Sequence, residues 1–530
     1  MDIRIVFFVI CAYFMIHCPA QAPVKEVHIS GDFVLGALFP IHGSKDGTCT
    51  SQVNEQDGIQ ILEATIFAIS EVNTYLKGKG FSLGLLARDS CYDTNIALEN
   101  ALEFAQKRYN SQSNRFENCT YSSTDANNII GVIGPPRSKE TVDVAKLLTL
   151  FKVPQISYFA TTPELSDNVK YKYFKRTVPS DTFQAKALVS IMRSFDWQNA
   201  SILYEDSNYG IEGYTEIRAA AGDAGISLGF DKKVKESSNE DELEKIVEDL
   251  MKKKITNGKV VAILFMQYDL AYRIMEMVDK LYNSSDVIWV GGDAWIGREP
   301  PSGHTKIIEG AIGISPETRK YPGFAEYFKK INISNSPNPW YGEYLKQRYG
   351  CSLTDKKNSC SDMPIRDFRE LLTAYNVRNA VYSFGRALEN IHTLLCGEKR
   401  SLCQSMKANL TGELILQHLS NAFNPFNTSF HFVNCDDGPI RYSVLQYKRQ
   451  QNDYRWIEKG NCYGKVLIRK TMNGSEYTSS VCSQPCKKGQ YRSRGEVCSW
   501  EFKDCDFTGT LRLPRKYCIV LCVGGSGNPT

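Results

Sequence analysis

What the chain has little of narrows its function first. Charge of one sign is missing: 63 Lys and Arg stand against 59 Asp and Glu, a net of +4 over 530 residues, so no basic footprint is offered to nucleic acid. Histidine is scarce, seven in all with His17 near the start, which leaves a His-centred nucleophile relay without support. The GxSxG elbow, HExxH, GxxxxGK followed by Ser or Thr, and GxGxxG are all absent. After residue 20 no apolar run reaches the length of about eighteen residues that a membrane helix needs, so no span is expected. These absences predict a binding protein with no catalytic residue, metal or cofactor; an enzyme assembled only by folding is the open alternative.

What is present is an ordinary globular composition, 42% hydrophobic and 23% charged, in a chain too long for one core. Arg4, an apolar run from Ile5 to Ile16, and then Cys18, Pro19 and Ala20 read as a secretory signal over 1–22, with a membrane anchor as the alternative. Asn-x-Ser/Thr sequons at Asn118, Asn199, Asn283, Asn332, Asn409, Asn427 and Asn473 fit a secreted, glycosylated chain. Of 17 cysteines, Cys11 and Cys18 leave with the signal, and an odd remainder implies disulfides plus one thiol for a partner chain or a free state. Cys482, Cys486, Cys498, Cys505, Cys518 and Cys522 crowd the end, where a small stapled module is expected and a zinc site is the alternative.

Between the ends, strand-like and helix-like patterns alternate: FVLGALFP then GIQILEATIFAISEVN, FSLGLLA then IALENALEFAQ, NIIGVIGPP then VDVAKLLTLF. The alternation restarts after Pro179 with TFQAKALVSIMRSF, ASILYED and YTEIRAAAGDAG, and later VVAILFMQ and VIWVGGDAW. Such alternation predicts parallel sheets covered on both faces, and two blocks of it predict two lobes. The loops GPPRSKE, FATTPELSD, EDSNYG and GGDAWIGR fall at strand carboxyl ends, where α/β sheets bind ligands; singly, each reads first as a helix cap, and the four together point to a cleft site.

The segment from GVIGPPRSKETVDVAKLL through FATTPELSD, RTVPSDTFQAKA and DWQNASILYEDSNYG resembles the extracellular ligand-binding domain of the metabotropic glutamate receptors, class C G-protein-coupled receptors. GGDAWIGR, NPWYGEYLKQRYGC, NAVYSFGRALENIHTLLC and CSQPCKKGQ extend the resemblance from Asp32 to Trp500. It implies an α/β bilobed clamshell of the type I periplasmic-binding-protein kind, with two parallel-sheet lobes and a small truncated disulfide-rich module. On that pattern 1–22 is the signal peptide, 23–182 and 317–447 form lobe 1, 183–316 and 448–476 form lobe 2, and 477–530 hold the truncated module and an unfamiliar tail. The family's seven membrane helices have no counterpart, and from Asp506 the sequence departs from the family's stalk.

The resemblance further implies a ligand set. Ser138 and Thr161 fall where the family holds an α-carboxylate; Asp181, Tyr209 and Asp293 fall where it holds an α-ammonium. This is chemically apt, since a carboxylate needs hydroxyl and backbone donors at a helix N-terminus and an ammonium needs carboxylates and an aromatic face. Arg298 also matches. The side-chain end departs: Asp57 and Ile61 replace the family's tyrosine and arginine, and Thr373 stands where it has a lysine. Two lost partners of a desolvated charge, at about 2–5 kcal/mol each, weaken glutamate by more than roughly a thousandfold. A neutral or basic α-amino acid is therefore expected, with Asp57 facing its distal group.

Family pairing implies disulfides Cys49 with Cys91, Cys351 with Cys360 and Cys396 with Cys403; Cys435 and Cys462, without family counterparts, are expected to pair with each other. Cys119 resembles the cysteine that joins two protomers, implying an intermolecular disulfide in a homodimer or a heterodimer with a related chain. Ser227 and Ser499 stand where the family ties lower lobe to stalk. The expectation is a secreted or extracellular amino-acid-binding module, at the cell membrane if part of a longer receptor. A ligand-free structural or decoy ectodomain, or a truncated gene model, is the alternative.

Overall fold

Short apolar runs bounded by polar loops can bury both faces only inside a covered sheet, and this chain builds two such sheets. The structure, a computed structural model, describes residues 24–112, 128–253, 259–282, 286–300, 305–317, 319–354, 358–360, 363, 365, 368–420, 430–433, 436–451, 453–463, 466–469, 490–493 and 501–504. The first sheet takes β1 (Glu26–Ile29) and β2 (Phe33–Phe39), then, after a hairpin of β3 (His42–Lys45) and β4 (Thr48–Val53), β5 (Leu83–Asp89), β6 (Ile129–Ile133), β7 (Gln155–Ser157) and β8 (Phe174–Arg176). Its order is β1-β5-β2-β6-β7-β8, parallel except for β1.

β2, FVLGALF, is buried at all seven positions. Phe33, Leu35, Ala37 and Phe39 face one side, into the core with helices Ile61–Leu76 and Ala374–Cys396. Val34 and Leu38 face the other, against Ala97, Ala101 and Phe104 of helix Thr94–Gln112 and Val144 and Leu148 of helix Ser138–Leu150. The period of two in a strand divides one apolar run between two helical layers.

The second sheet holds β9 (Asn199–Glu205), β10 (Ser227–Val234), β11 (Val260–Phe265), β12 (Val287–Gly291), β13 (Ile312–Pro316), β14 (Arg441–Gln450), β15 (Asp453–Tyr463) and β16 (Val466–Arg469), in the order β10-β9-β11-β12-β13-β14-β15-β16. From β10 to β13 it is parallel, with Val261, Ile263 and Phe265 facing helices Asp181–Ser194 and Asn208–Asp223, and Val260, Ala262 and Leu264 facing helices Glu240–Met251 and Tyr268–Leu281. The helix Glu240–Met251 shows how locally the elements are specified: Asn239 caps it by accepting from the Glu242 N–H, three acids fill its first turn, and Leu243, Ile246, Val247 and Leu250 make its buried stripe.

From β13 to β16 the sheet is antiparallel, unlike the wholly parallel sheet the alternation implies. β14 and β15 follow one another through a short turn with no helix between, so they can pair only as a hairpin. β14 begins at Arg441, inside the segment 317–447 assigned above to lobe 1. A further hairpin, β17 (Gln490–Ser493) with β18 (Glu501–Asp504), lies near the end.

The chain crosses between the sheets three times, side by side. Gly438 N–H donates to Val178 O at 3.0 Å, Glu317 N–H to Arg441 O at 2.8 Å, and the Tyr442 hydroxyl to Ser180 O at 3.3 Å.

Disulfides join Cys49 to Cys91, Cys351 to Cys360 and Cys396 to Cys403. The expected bridge from Cys435 to Cys462 is not made at Cys462, which is a free, buried cysteine; Cys435 lies outside the described residues. Cys462 sits opposite Tyr442 in an apolar cluster with Ile314 and Val444, and burial there raises its thiol to about 11, keeping it protonated and inert. The signal segment, Cys119 and the six terminal cysteines also lie outside the described residues. Among the described residues no helix is long and apolar enough to cross a membrane.

Candidate functional site

Three strand ends of the first lobe converge on one place. Ser138 opens the helix after β6, and its hydroxyl accepts the Thr162 N–H at 3.3 Å. The loop after β7 is tied down by Ser157, whose hydroxyl donates to Pro135 O at 2.8 Å and accepts the Ala160 N–H at 3.1 Å. Thr161 in that loop accepts the Asp181 N–H at 2.8 Å, and Asp181 opens the helix that follows the first crossing. Ser138, Thr161 and Asp181 are all buried.

The second lobe brings Asp293 and Tyr209 to the same place. Tyr209 is stacked on Phe265, ring centres 4.4 Å apart, and its hydroxyl donates to Asp293 Oδ1 at 3.1 Å. The loop SNYG comes this close because position 210 is glycine: a Cβ there would lie 2.1 Å from the Glu205 carbonyl oxygen. Gln184, one turn into the helix from Asp181, binds both acids, its amide donating to Asp181 Oδ1 and to Asp293 Oδ1 (3.1 Å) while its carbonyl accepts the Asp293 N–H at 2.8 Å. The sequence reading missed Gln184, and its only signal was the i, i+3 spacing from Asp181.

Asp181 Oδ2 and Asp293 Oδ2 are each buried with no hydrogen-bond partner among the described residues. Burial raises both carboxyls, Asp293 to about 6 and Asp181 well above the usual range; at Asp181 the negative charge of Asp293 adds to the rise, while Thr161, Arg176 and Gln184 oppose it. A group raised in the folded state stabilises it fully below the unfolded value, and that contribution is lost as pH rises through the raised value. Glu140, pushed up by burial to about 8, acts in the same direction. The ligand-free protein is therefore expected to melt at a higher temperature at pH 5 than at pH 8. Scanning calorimetry across that range checks it, and a melting point that climbs with pH contradicts it.

Asp57 lies in the π-helical turn Glu55–Gln60, where Asn54 Oδ1 accepts its N–H at 3.1 Å. Asp57 Oδ2 accepts from Arg298 of the second lobe and from the Tyr92 hydroxyl, each at 2.5 Å. Both side chains of the ion pair are 6% exposed. Phe159 and Tyr268 face the Arg298 guanidinium at 5.3 and 5.4 Å. Ile61 is in the core of lobe 1, and Thr373 is buried with its hydroxyl unpartnered among the described residues.

The lobes also meet at the rim. Arg137, 3.6 Å from the Tyr92 ring centre, reaches Glu236 at 3.4 Å and Asp269 at 3.3 Å, and Thr162 donates to Glu212 at 2.6 Å. A cavity of about 930 Å³ opens there between Lys45, Tyr92 and Arg137 on one side and Asp206, Glu236 and Asp269 on the other. Among the described residues Cys49, Asp89 and Cys91 cluster closely enough for a metal, but both sulfurs are spent in a disulfide.

A family model, the receptor family ligand binding region, matches residues 60–450. Metabotropic glutamate receptor 8 of Homo sapiens is 31% identical to this chain over 517 residues, covering 92% of this chain and 56% of that receptor. For the same receptor of Mus musculus the identity is 32% over 517 residues with the same coverage, and for metabotropic glutamate receptor 4 of Mus musculus it is 30% over 538 residues, covering 94% and 57%. The chain thus spans little more than half the length of these curated relatives.

Proposed function

The chain belongs to the receptor family ligand-binding region, on its metabotropic glutamate receptor side and not to an enzyme family, and from that premise we propose that it binds an α-amino acid between its lobes. One observation carries this reading: two buried carboxylates, Asp181 and Asp293, each keep one oxygen unpartnered among the described residues beside the Tyr209 ring. A buried acid without a donor is costly, and an ammonium with three N–H donors supplies what both lack. Ser138 and Thr161, at the adjoining helix N-terminus and loop, would take the carboxylate. The ligand's side chain is neutral or basic rather than acidic, because Ile61 and Thr373 provide no cation and Arg298 is already paired with Asp57.

Such a ligand touches Ser138 and Thr161 on the first lobe and Asp181, Tyr209 and Asp293 near or on the second, so it favours the closed arrangement by differential contact. The proposed setting is extracellular, as a dimer linked through Cys119. Thermal denaturation with each of the twenty amino acids tests the reading: a true ligand at one hundred times its Kd stabilises by about 2.7 kcal/mol. Binding is expected to strengthen from pH 5 to pH 8, opposite to the stability trend, because the ammonium displaces the proton held by the acids. If no amino acid moves the melting point, the module is a structural ectodomain without this ligand.

A further inference from the structure

The Asp57–Arg298 contact does more than join the lobes. Arg298 lies five residues after Asp293 in the same loop, near enough for its charge to act on that carboxyl, so on the amino-acid reading it stands beside the head-group site. Its main chain is fixed by Trp456, whose indole N–H donates to Arg298 O at 2.7 Å. A guanidinium 6% exposed between two aromatic rings requires an anion, because a lone buried charge is strongly destabilising. An acidic ligand would bring that anion. Here the chain brings it: Asp57 is held by its Asn54 cap and by the Tyr92 hydroxyl, which burial foremost, and then Asp57 itself, keep protonated and donating.

We infer that Asp57 is a built-in counter-ion for Arg298 and thereby the residue that sets ligand specificity. It fills the anion position, so the groove selects amino acids with neutral side chains. Acidic ligands are refused because their place is taken and because a second carboxylate would face Asp57. Basic ligands are refused as well, since Asp57 is already paired and a lysine or arginine side chain would have to displace Arg298. This inference rests on the amino-acid reading above and narrows it from neutral or basic to neutral.

Calorimetry on the full chain and on Asp57→Ala and Arg298→Ala variants, with glutamate, alanine, serine and lysine as probes, tests it. The unaltered chain is expected to bind alanine or serine. Asp57→Ala, which frees Arg298, should gain glutamate affinity by at least about thirtyfold, and Arg298→Ala, which frees Asp57, should gain lysine affinity by a similar factor, the lower end of what a desolvated charge partner is worth. If one variant fails to fold, the other still decides. Variants that keep binding alanine or serine but acquire neither charged ligand overturn the counter-ion role while leaving the amino-acid reading intact. Lysine bound by the unaltered chain as tightly as alanine also overturns it. Absence of binding by every protein to every probe removes the amino-acid reading and this inference with it.

Discussion

Changing Asp293 to Asn is expected to weaken amino-acid binding by about thirtyfold to several-thousandfold while raising the melting point of the ligand-free protein. The two effects share one cause. Asn at 293 keeps an Oδ1 acceptor for the Tyr209 hydroxyl and the Gln184 amide, so the local hydrogen bonds survive. What disappears is a charge that an ammonium needs and that Asp181 repels. Removing one member of a desolvated charge pair costs binding about 2–5 kcal/mol. Removing a carboxyl whose folded-state value is raised to about 6 returns on the order of 1–3 kcal/mol of folding stability at pH 8, and flattens the fall in stability between pH 5 and pH 8. Calorimetric titration and thermal melts of the same preparation separate the two. A variant that loses binding and also melts lower would mean that Asp293 is mainly a structural support.

The second large effect is expected from the Cys49–Cys91 disulfide. Its cysteines are 42 residues apart, and the loop-entropy account assigns such a cross-link about 4 kcal/mol. The bond also restrains Cys91 and Tyr92, which adopt φ of 51° and 53°, a conformation that residues with a Cβ rarely take unaided. The Cys49→Ala, Cys91→Ala double variant should therefore unfold at markedly lower urea and should also loosen Tyr92, whose hydroxyl supports Asp57. Urea denaturation measures the first effect, and a loss of under 1 kcal/mol would refute it.

The strands were legible because burial on both faces writes itself into sequence as unbroken apolar runs such as FVLGALF and VVAILF. The antiparallel return through β14 to β16 was not, because strand–helix alternation says nothing about strands joined by a bare turn. At the site, Ser138, Thr161, Asp181, Tyr209 and Asp293 are proposed through motif resemblance, and they lie near strand ends and helix starts, where such motifs can be read singly. Gln184 was invisible, since a glutamine in a helix reads as solvent-facing until the acids on either side of it are located. The Asp57–Arg298 pair is likewise hidden: the residues are 241 positions apart, and read one at a time each charge is open to a ligand, whereas in the fold they cancel. Cys462 was assigned a partner because it was left over, but its apolar surroundings call for none.

The three passages between the lobes run abreast and are stitched to one another at Val178, Ser180 and Arg441. Parallel tethers of this kind resist twisting and sliding, which leaves a swing about their common line as the soft direction for any opening of the groove. Leverage is then smallest at Asp181, immediately beside the first tether, and greater at the Arg137 contacts on the rim. A single backbone cut in one tether would leave two in place, and the pivot with them.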